Sequence, residues 1–265
     1  MSADLAVLEV TALLRSGTNS TAARNHLHTE DLTDFQVKQF QFIWEVATES
    51  GGHLALALDR LAEVFRAQQR QFAELRIAFA SPKATANLIL LLPLFAVLFS
   101  ELLGLSALGA SFGTALGAVS IGIGLLLLIV ARISSLRMLE KAKPRETDPG
   151  AFLDAVAIGL SAGLNPKAAA AMARTKSRVL FGDEISADQL NIFWEAVKAS
   201  EQSGIALNGL LLARADALRH RLWSNHRAQL AKLSISLLIP LGLAALPAFV
   251  FLAVVPVGIG LFSAT

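Results

Sequence analysis

The sequence predicts an all-α integral membrane protein, with two repeated cytoplasmic antiparallel helical bundles and about three transmembrane helices. Three observations carry this reading. Charge is segregated: between Lys83 and Arg132 the only charged side chain is Glu101, and none follows Lys232. A polar, helically periodic block precedes each charge-free stretch, and the two blocks superpose. The chain is also apolar, with 54% hydrophobic and 17% charged residues, where soluble domains carry about 25% charged ones.

The repeat is legible residue by residue. Thr33 with Gln36 and Ser186 with Gln189 both read as capping boxes, a hydroxyl capping the helix while a Gln three residues on reaches back. The offset that superposes Thr33 on Ser186 also pairs Phe40 with Phe193, Gly51 with Gly204, Leu54 with Leu207, Leu58 with Leu211 and Arg66 with Arg219. Upstream, Leu14 to Gly17 matches Leu160 to Gly163 at a slightly shorter offset, and downstream Pro93 matches Pro240, so the length differences fall in loops. Trp44 and Trp194 stand one helical turn apart in this register and are expected to fill the core from the same face.

These repeats define the expected domains: 1–83, first bundle; 84–131, a transmembrane hairpin; 132–232, second bundle; 233–262, a C-terminal transmembrane segment. Each bundle reads as four helices. In the first, Ala3 to Ser16 ends at Gly17, Ser20 caps a short helix to His28, Thr33 opens a third that closes at Ser50-Gly51-Gly52, and a long fourth runs from Leu54 until Pro82 stops it. In the second, Asp148-Pro149 and Asn165-Pro166 place a capping side chain before a Pro, Ser186 opens the third helix, and Gly204 separates it from the fourth. Gly17, Gly51, Gly163 and Gly204 are the predicted structural turns. Because each fourth helix leads to the membrane, these turns are expected at the tips remote from it.

A bilayer core takes about 20 apolar residues per helix. The first charge-free stretch therefore holds two spans, 84–103 and 110–131, joined by a turn at Gly104 and Ser106 to Gly109. The last holds one crossing, kinked by Pro240, Pro247 and Pro256. Arg70, Arg76 and Lys83 precede the hairpin and Arg132, Arg137, Lys141, Lys143 and Arg145 follow it, with no Lys or Arg in between. By the positive-inside rule both bundles face the cytoplasm of a multi-pass cell-membrane protein, and the C-terminus is extracytoplasmic. Met1 to Asp4 carries no basic residue and leads into no continuous apolar run, so the N-terminus does not read as a signal peptide. The chain has no Cys, which excludes disulfides and thiolate metal sites.

The repeated pattern of a Leu-rich helix ending in Ser-Gly or Ala-Gly, a Ser-Gly turn followed by Leu, an Arg-studded long helix and a Pro-containing span resembles the type II secretion system F domain. Ala80 to Ala86, with Leu246 to Val250 and Val254 to Val257, is similar to the two paired platform proteins of Tad (Flp) pilus systems, here joined in one chain. The resemblance implies a non-enzymatic membrane platform of a type II secretion or type IV pilus machine. It implies as partners a hexameric secretion ATPase, pilin or pseudopilin subunits, membrane lipid and further copies of the chain as a homo-oligomer. It implies no cofactor.

On that basis Glu49, His53, Lys167 and Glu201, on the distal turns, are the candidate ATPase-facing residues, weighed against the simpler role of solvated turn residues. Gly109, Gly113 and Gly117 form two overlapping G-x-x-x-G steps, suited to helix association with pilin, another copy or the chain's own first span. Glu101, the one acid of the hairpin, is a candidate pilin contact, or a carboxylate at headgroup level. The first block has 8 basic and 10 acidic residues, the part from Arg132 onward 15 and 10, giving net charges of −2 and +5 that favour contact between the two bundles. The basic run from Arg214 to Lys232 suits anionic lipid. Nucleic acid is not an expected partner, because no aromatic or glycine-rich surface accompanies the charge. Gly159-Leu-Ser-Ala-Gly163 spells a nucleophile elbow, but inside a helical pattern. His26 and His28 lack the spacing of a metal site. The competing classes are a membrane-anchored scaffold or receptor outside secretion, and a small transporter, which would need polar groups at mid-membrane.

Overall fold

The computed structural model describes residues 2–103, 109, 113–141, 146–182, 185–236 and 238–263. All regular elements among them are helical: α1 Ala3–Arg15, α2 Ser20–Asn25, a 3-10 turn Thr29–Asp31, α3 Asp34–Ser50, α4 Leu54–Leu102, α5 Ala115–Lys141, α6 Ala151–Ser161, α7 Pro166–Phe181, α8 Ala187–Ser203, α9 Leu207–Ser236, α10 Leu238–Phe249, a π-helical turn Val250–Val254 and α11 Val255–Ser263. The chain forms two compact units, Met1–Ala73 with Arg145–Asn225, and Glu74–Pro144 with His226–Thr265.

In the first unit the duplication appears in local geometry. Thr33 and Ser186 each close a complete capping box, and Asn19 and Asn165 cap the second helix of each half. Pro166 occupies the first turn of α7, where its missing N–H costs nothing. The sequence reading assigns a separate bundle to each half. In the structure, helices of both halves surround one core, with α3 packed on α6 and α7. Phe35 and Phe42 of α3 both meet the Phe181 ring, each at 5.7 Å. The cause lies in α6, which is buried on all sides from Phe152 to Ala157. A helix buried all round needs neighbours on every face, and the three other helices of its half are too few.

Trp44 is buried and its ring lies 5.5 Å from Phe40, but Trp194 is 45% exposed. In the second half Phe193 takes the core position, and the adjacent residue on a helix points some 100° away.

The second unit contains the apolar segments. Ala115–Lys141 and Gly242–Ile259 are long and apolar enough to cross a membrane, and Asn87–Leu102 is a shorter apolar helix. Their large side chains are mostly outward: Leu102, Leu116, Leu126, Leu243 and Leu246 are all exposed. Such surfaces suit lipid, and they make this an α-helical membrane-associated protein. The expected turn at Gly104 and Ser106 lies outside the described residues. Pro82 does not stop the fourth helix, since α4 runs on through Pro82 and Pro93 to Leu102. No Gly lies between Gly52 and Gly104 to supply a left-handed end, and a Pro among apolar helices can be tolerated when neighbours satisfy the freed carbonyl.

That compensation is visible at Pro256. In the π register of Val250–Val254, the Phe251 carbonyl would be met by the N–H of residue 256, which Pro lacks. The Ser120 hydroxyl of α5 donates to that carbonyl instead.

Candidate functional site

The four glycine turns have left-handed backbones, with φ of 87° at Gly17, 71° at Gly51, 91° at Gly163 and 71° at Gly204. Around them the predicted contact residues behave differently. Glu49 is engaged: its carboxylate lies 2.7 Å from Lys176 Nζ of α7, and Glu45 lies 3.2 Å from the same amine. Hydrogen bonds that Lys176 donates to Glu49 and then Glu45 hold its amine above the ordinary lysine range. His53 is exposed and lines a cavity between the halves. Lys167, in the first turn of α7, and Glu201, in the last turn of α8, are exposed on separate turns. The Gly51–His53 turn abuts α6, because a Cβ placed on Gly52 would sit 3.2 Å from the Ile158 side chain.

The strongest electrostatic feature of the first unit lies deeper. The Asp148 side chain is fully buried and accepts from Arg219 Nε and Nη2, both at 2.8 Å, from the Gly150 N–H at 2.9 Å, and from Gln39 Nε2. Asp154, on the buried face of α6, also accepts from Arg219, and its other oxygen lies 3.6 Å from Arg60 Nε. Arg60 in turn pairs with Asp216. The cluster ties both halves together: Gln39 and Arg60 come from the first, the rest from the second. Burial works against the Arg219 charge, but Asp148 and Asp154 outweigh it and hold the guanidinium above its ordinary pKa. Asp154 is pushed up by burial and by the neighbouring Asp148, against the pull of Arg219 and Arg60.

Sequence reasoning noticed Arg219 as the counterpart of Arg66 and as part of the basic run that suits anionic lipid, and Asp148 only as a helix cap. In the structure α6 starts at Ala151 with Gly150 at its N-cap position, and the Asp148 side chain serves the guanidinium as well as the Gly150 N–H. Gly150 is required there, since a Cβ would fall 2.7 Å from Arg219 Cζ. The available signal was the Asp148-x-Gly150 pair, an acceptor beside a residue with no side chain.

In the second unit, Gly117 is buried on α5, whereas Gly113 is exposed and a Cβ there would meet nothing within 4 Å among the described residues, and Gly109 is exposed. The close-packed stripe continues instead through Ser120, Gly124 and Ala131. It faces the C-terminal segment, α10 and the π turn, rather than a G-x-x-x-G partner. A Cβ on Gly124 would lie 2.4 Å from Leu252 Cγ, so that glycine permits the approach. Glu101 lies at the end of α4, one residue before Leu102.

The Gly159–Gly163 motif is not an elbow. Ser161 ends α6, and its hydroxyl donates to the Ile158 carbonyl at 2.7 Å. Among the described residues no group of three His, Asp or Glu is arranged to hold a metal.

Residues 5–100 match the family model of the type II secretion system (T2SS), protein F. That stretch begins in α1 and ends near the end of α4, one four-helix half with its apolar extension. No curated protein and no solved structure matches the chain. F-domain proteins are scaffold components without catalysis. Over residues 5–100, this α-helical membrane protein carries a type II secretion system F domain.

Proposed function

We propose that the protein is the membrane platform of a Tad or other type IV pilus, or of a type II secretion machine, and couples a cytoplasmic ATPase to the insertion of pilin or pseudopilin subunits into a filament. One observation carries the reading: the F-domain match over residues 5–100, on one half of a duplication whose second half repeats its caps, its turns and its long-helix arginine. The chain then supplies in one polypeptide the pairing that Tad systems make with two. Three spans, 84–103, 110–131 and 233–261, put both sets of helices in the cytoplasm and the C-terminus outside, in keeping with Arg and Lys on only one side of the hairpin.

In this reading the ATPase docks on the turns that begin α4, α7 and α9. From Leu54 to Ala73 a helix rises about 30 Å, which separates the turn from the point where the chain enters its apolar unit. Glu49, His53, Lys167 and Glu201 are the proposed contacts. Glu101, Gly109 and Gly113, at the hairpin, are proposed to face pilin, and the protein acts as a homo-oligomer. Affinity capture of the full chain from membranes tests the platform role. The secretion ATPase encoded with it should co-purify, and deletion should abolish filament assembly or secretion. A chain that captures no ATPase, and whose loss leaves filaments intact, is not a platform.

A further inference from the structure

The C-terminal apolar segment changes register once. Across Val250–Val254 the hydrogen bonds step from four-residue to five-residue spacing, and the Val255 N–H reaches the Val250 carbonyl instead of that of Phe251. Such turns are rare, and an α-helical course is the default. The reason for this one lies two residues beyond it. Pro256 has no N–H to give, so it strands one carbonyl in either register. With five-residue spacing the stranded carbonyl is that of Phe251. With four-residue spacing it is that of Leu252, because the Val255 N–H would then meet Phe251.

The two carbonyls are not equivalent. The Ser120 hydroxyl of α5 donates to Phe251, and Ser120 is itself 4% exposed. Successive carbonyls on a helix point about 100° apart, so the hydroxyl that serves Phe251 cannot also serve Leu252. The Leu252 side chain is meanwhile seated on Gly124, one turn along α5 from Ser120. A stranded carbonyl is costly at membrane depth, where no water meets it. The Ser120 bond therefore favours five-residue spacing over four. Without it, each register strands one carbonyl and the helical default decides.

We propose that the C-terminal segment is a two-register element, and that α5 sets its register through Ser120. While the hydroxyl engages Phe251, the π turn persists. When that contact is lost, the turn relaxes to α, and α11 rotates by about 100° and advances by about 1.5 Å. Each residue beyond the turn then takes the facing that the next residue had. A change of contact between α5 and the segment thus becomes a change in the face that α11 presents, and a binder that prefers one face biases the contact in return. The device lies wholly within the second unit and does not depend on what the F domain docks to.

The chain has no Cys, so single introduced thiols report on it cleanly. Spin labels on Val254→Cys, Val255→Cys, Val257→Cys, Gly258→Cys and Ile259→Cys, in the full chain in lipid nanodiscs, give the phase of oxygen accessibility from the turn onward. Ala245→Cys and Leu246→Cys, at a buried and an exposed position before the turn, give the reference. Ser120→Ala should shift the pattern beyond the turn by one position, about 100°, and leave the contrast between 245 and 246 unchanged. Pro256→Ala should produce the same shift with Ser120 in place, because the α register then strands no carbonyl. An unshifted pattern in either variant overturns the proposal. So does a pattern flattened on both sides of the turn, which would make Ser120 a support of packing and not of register.

Discussion

Arg66 and Arg219 occupy the same place in the two halves, on the long fourth helix, and each reaches a carboxylate near the start of its half. The surroundings differ. Arg66 is 46% exposed and has Asp4 as its acid, with its Nε 3.0 Å from the carboxylate. Arg219 is 9% exposed and holds the two buried carboxylates of Asp148 and Asp154. The offset that superposes Leu14 on Leu160 places Gly150 opposite Asp4. There the second half has given up a side chain, and the guanidinium occupies the space. The same tether has become a surface pair in one half and the centre of the shared core in the other. A duplicated sequence position thus fixes reach, while burial fixes what that reach is worth.

The largest effect should come from breaking the buried member. Arg219→Met leaves Asp148 and Asp154 without their main counter-charge, and removing one partner of a buried pair costs about 3–5 kcal/mol. Arg66→Met removes an exposed pair worth about 1 kcal/mol or less. Urea unfolding in detergent, followed by tryptophan fluorescence, would separate the two. Equal losses would mean that burial does not distinguish the halves. Replacing Asp148 and Asp154 with Asn in the Arg219→Met background should recover part of the loss, because the uncompensated charges are then gone.

A smaller, symmetric effect would sharpen the comparison. Gly51 and Gly204 share a φ of 71° at corresponding helix ends, and a Cβ would meet nothing within 4 Å at either. Gly→Ala at each should therefore cost only the left-handed backbone penalty, about 1 kcal/mol, and the same in both halves. Unequal costs in the same unfolding assay would show that the halves have diverged locally as well as in long-range packing.

Those caps were legible in the sequence because everything that fixes them lies within four residues. Thr33 with Gln36, Ser186 with Gln189, and Asn165 before Pro166 carry their geometry in their spacing. The merging of the halves was not legible by the same means, though α6 held a clue: apart from Asp154 and the terminal Ser161 its residues are all apolar or glycine. The Arg219 cluster joins positions 71 and 65 apart along the chain, a pairing that no periodicity reveals. On α5 the small-residue pattern was read toward Gly113, whereas the close contact ran the other way, through Ser120 and Gly124 to Leu252. Only the partner helix decides which part of such a stripe is used.

The finest distinction between the halves is in acid. Burial opposes ionisation of Asp4, but hydrogen bonds from Ser2 and Arg66 and the Arg66 charge hold its pKa below the ordinary carboxylate value of 3.8. A carboxylate depressed on folding stabilises above its unfolded pKa, and that contribution is lost as pH falls through the folded one. Asp154 is shifted the other way, upward from 3.8, by burial and by Asp148. Its protonation favours the folded state, so its titration contributes most below 3.8 and is lost as pH rises through the folded value. Unfolding midpoints of the wild type, Asp4→Asn and Asp154→Asn across the acidic range should therefore diverge with opposite slopes. The advantage of wild type over Asp4→Asn should shrink as pH drops below 3.8, while its advantage over Asp154→Asn should grow as pH approaches 3.8 from above. Slopes of the same sign would show that Asp154 stays ionised beside Arg219, and that the two arginine tethers differ in burial but not in the charge state of the acids they hold.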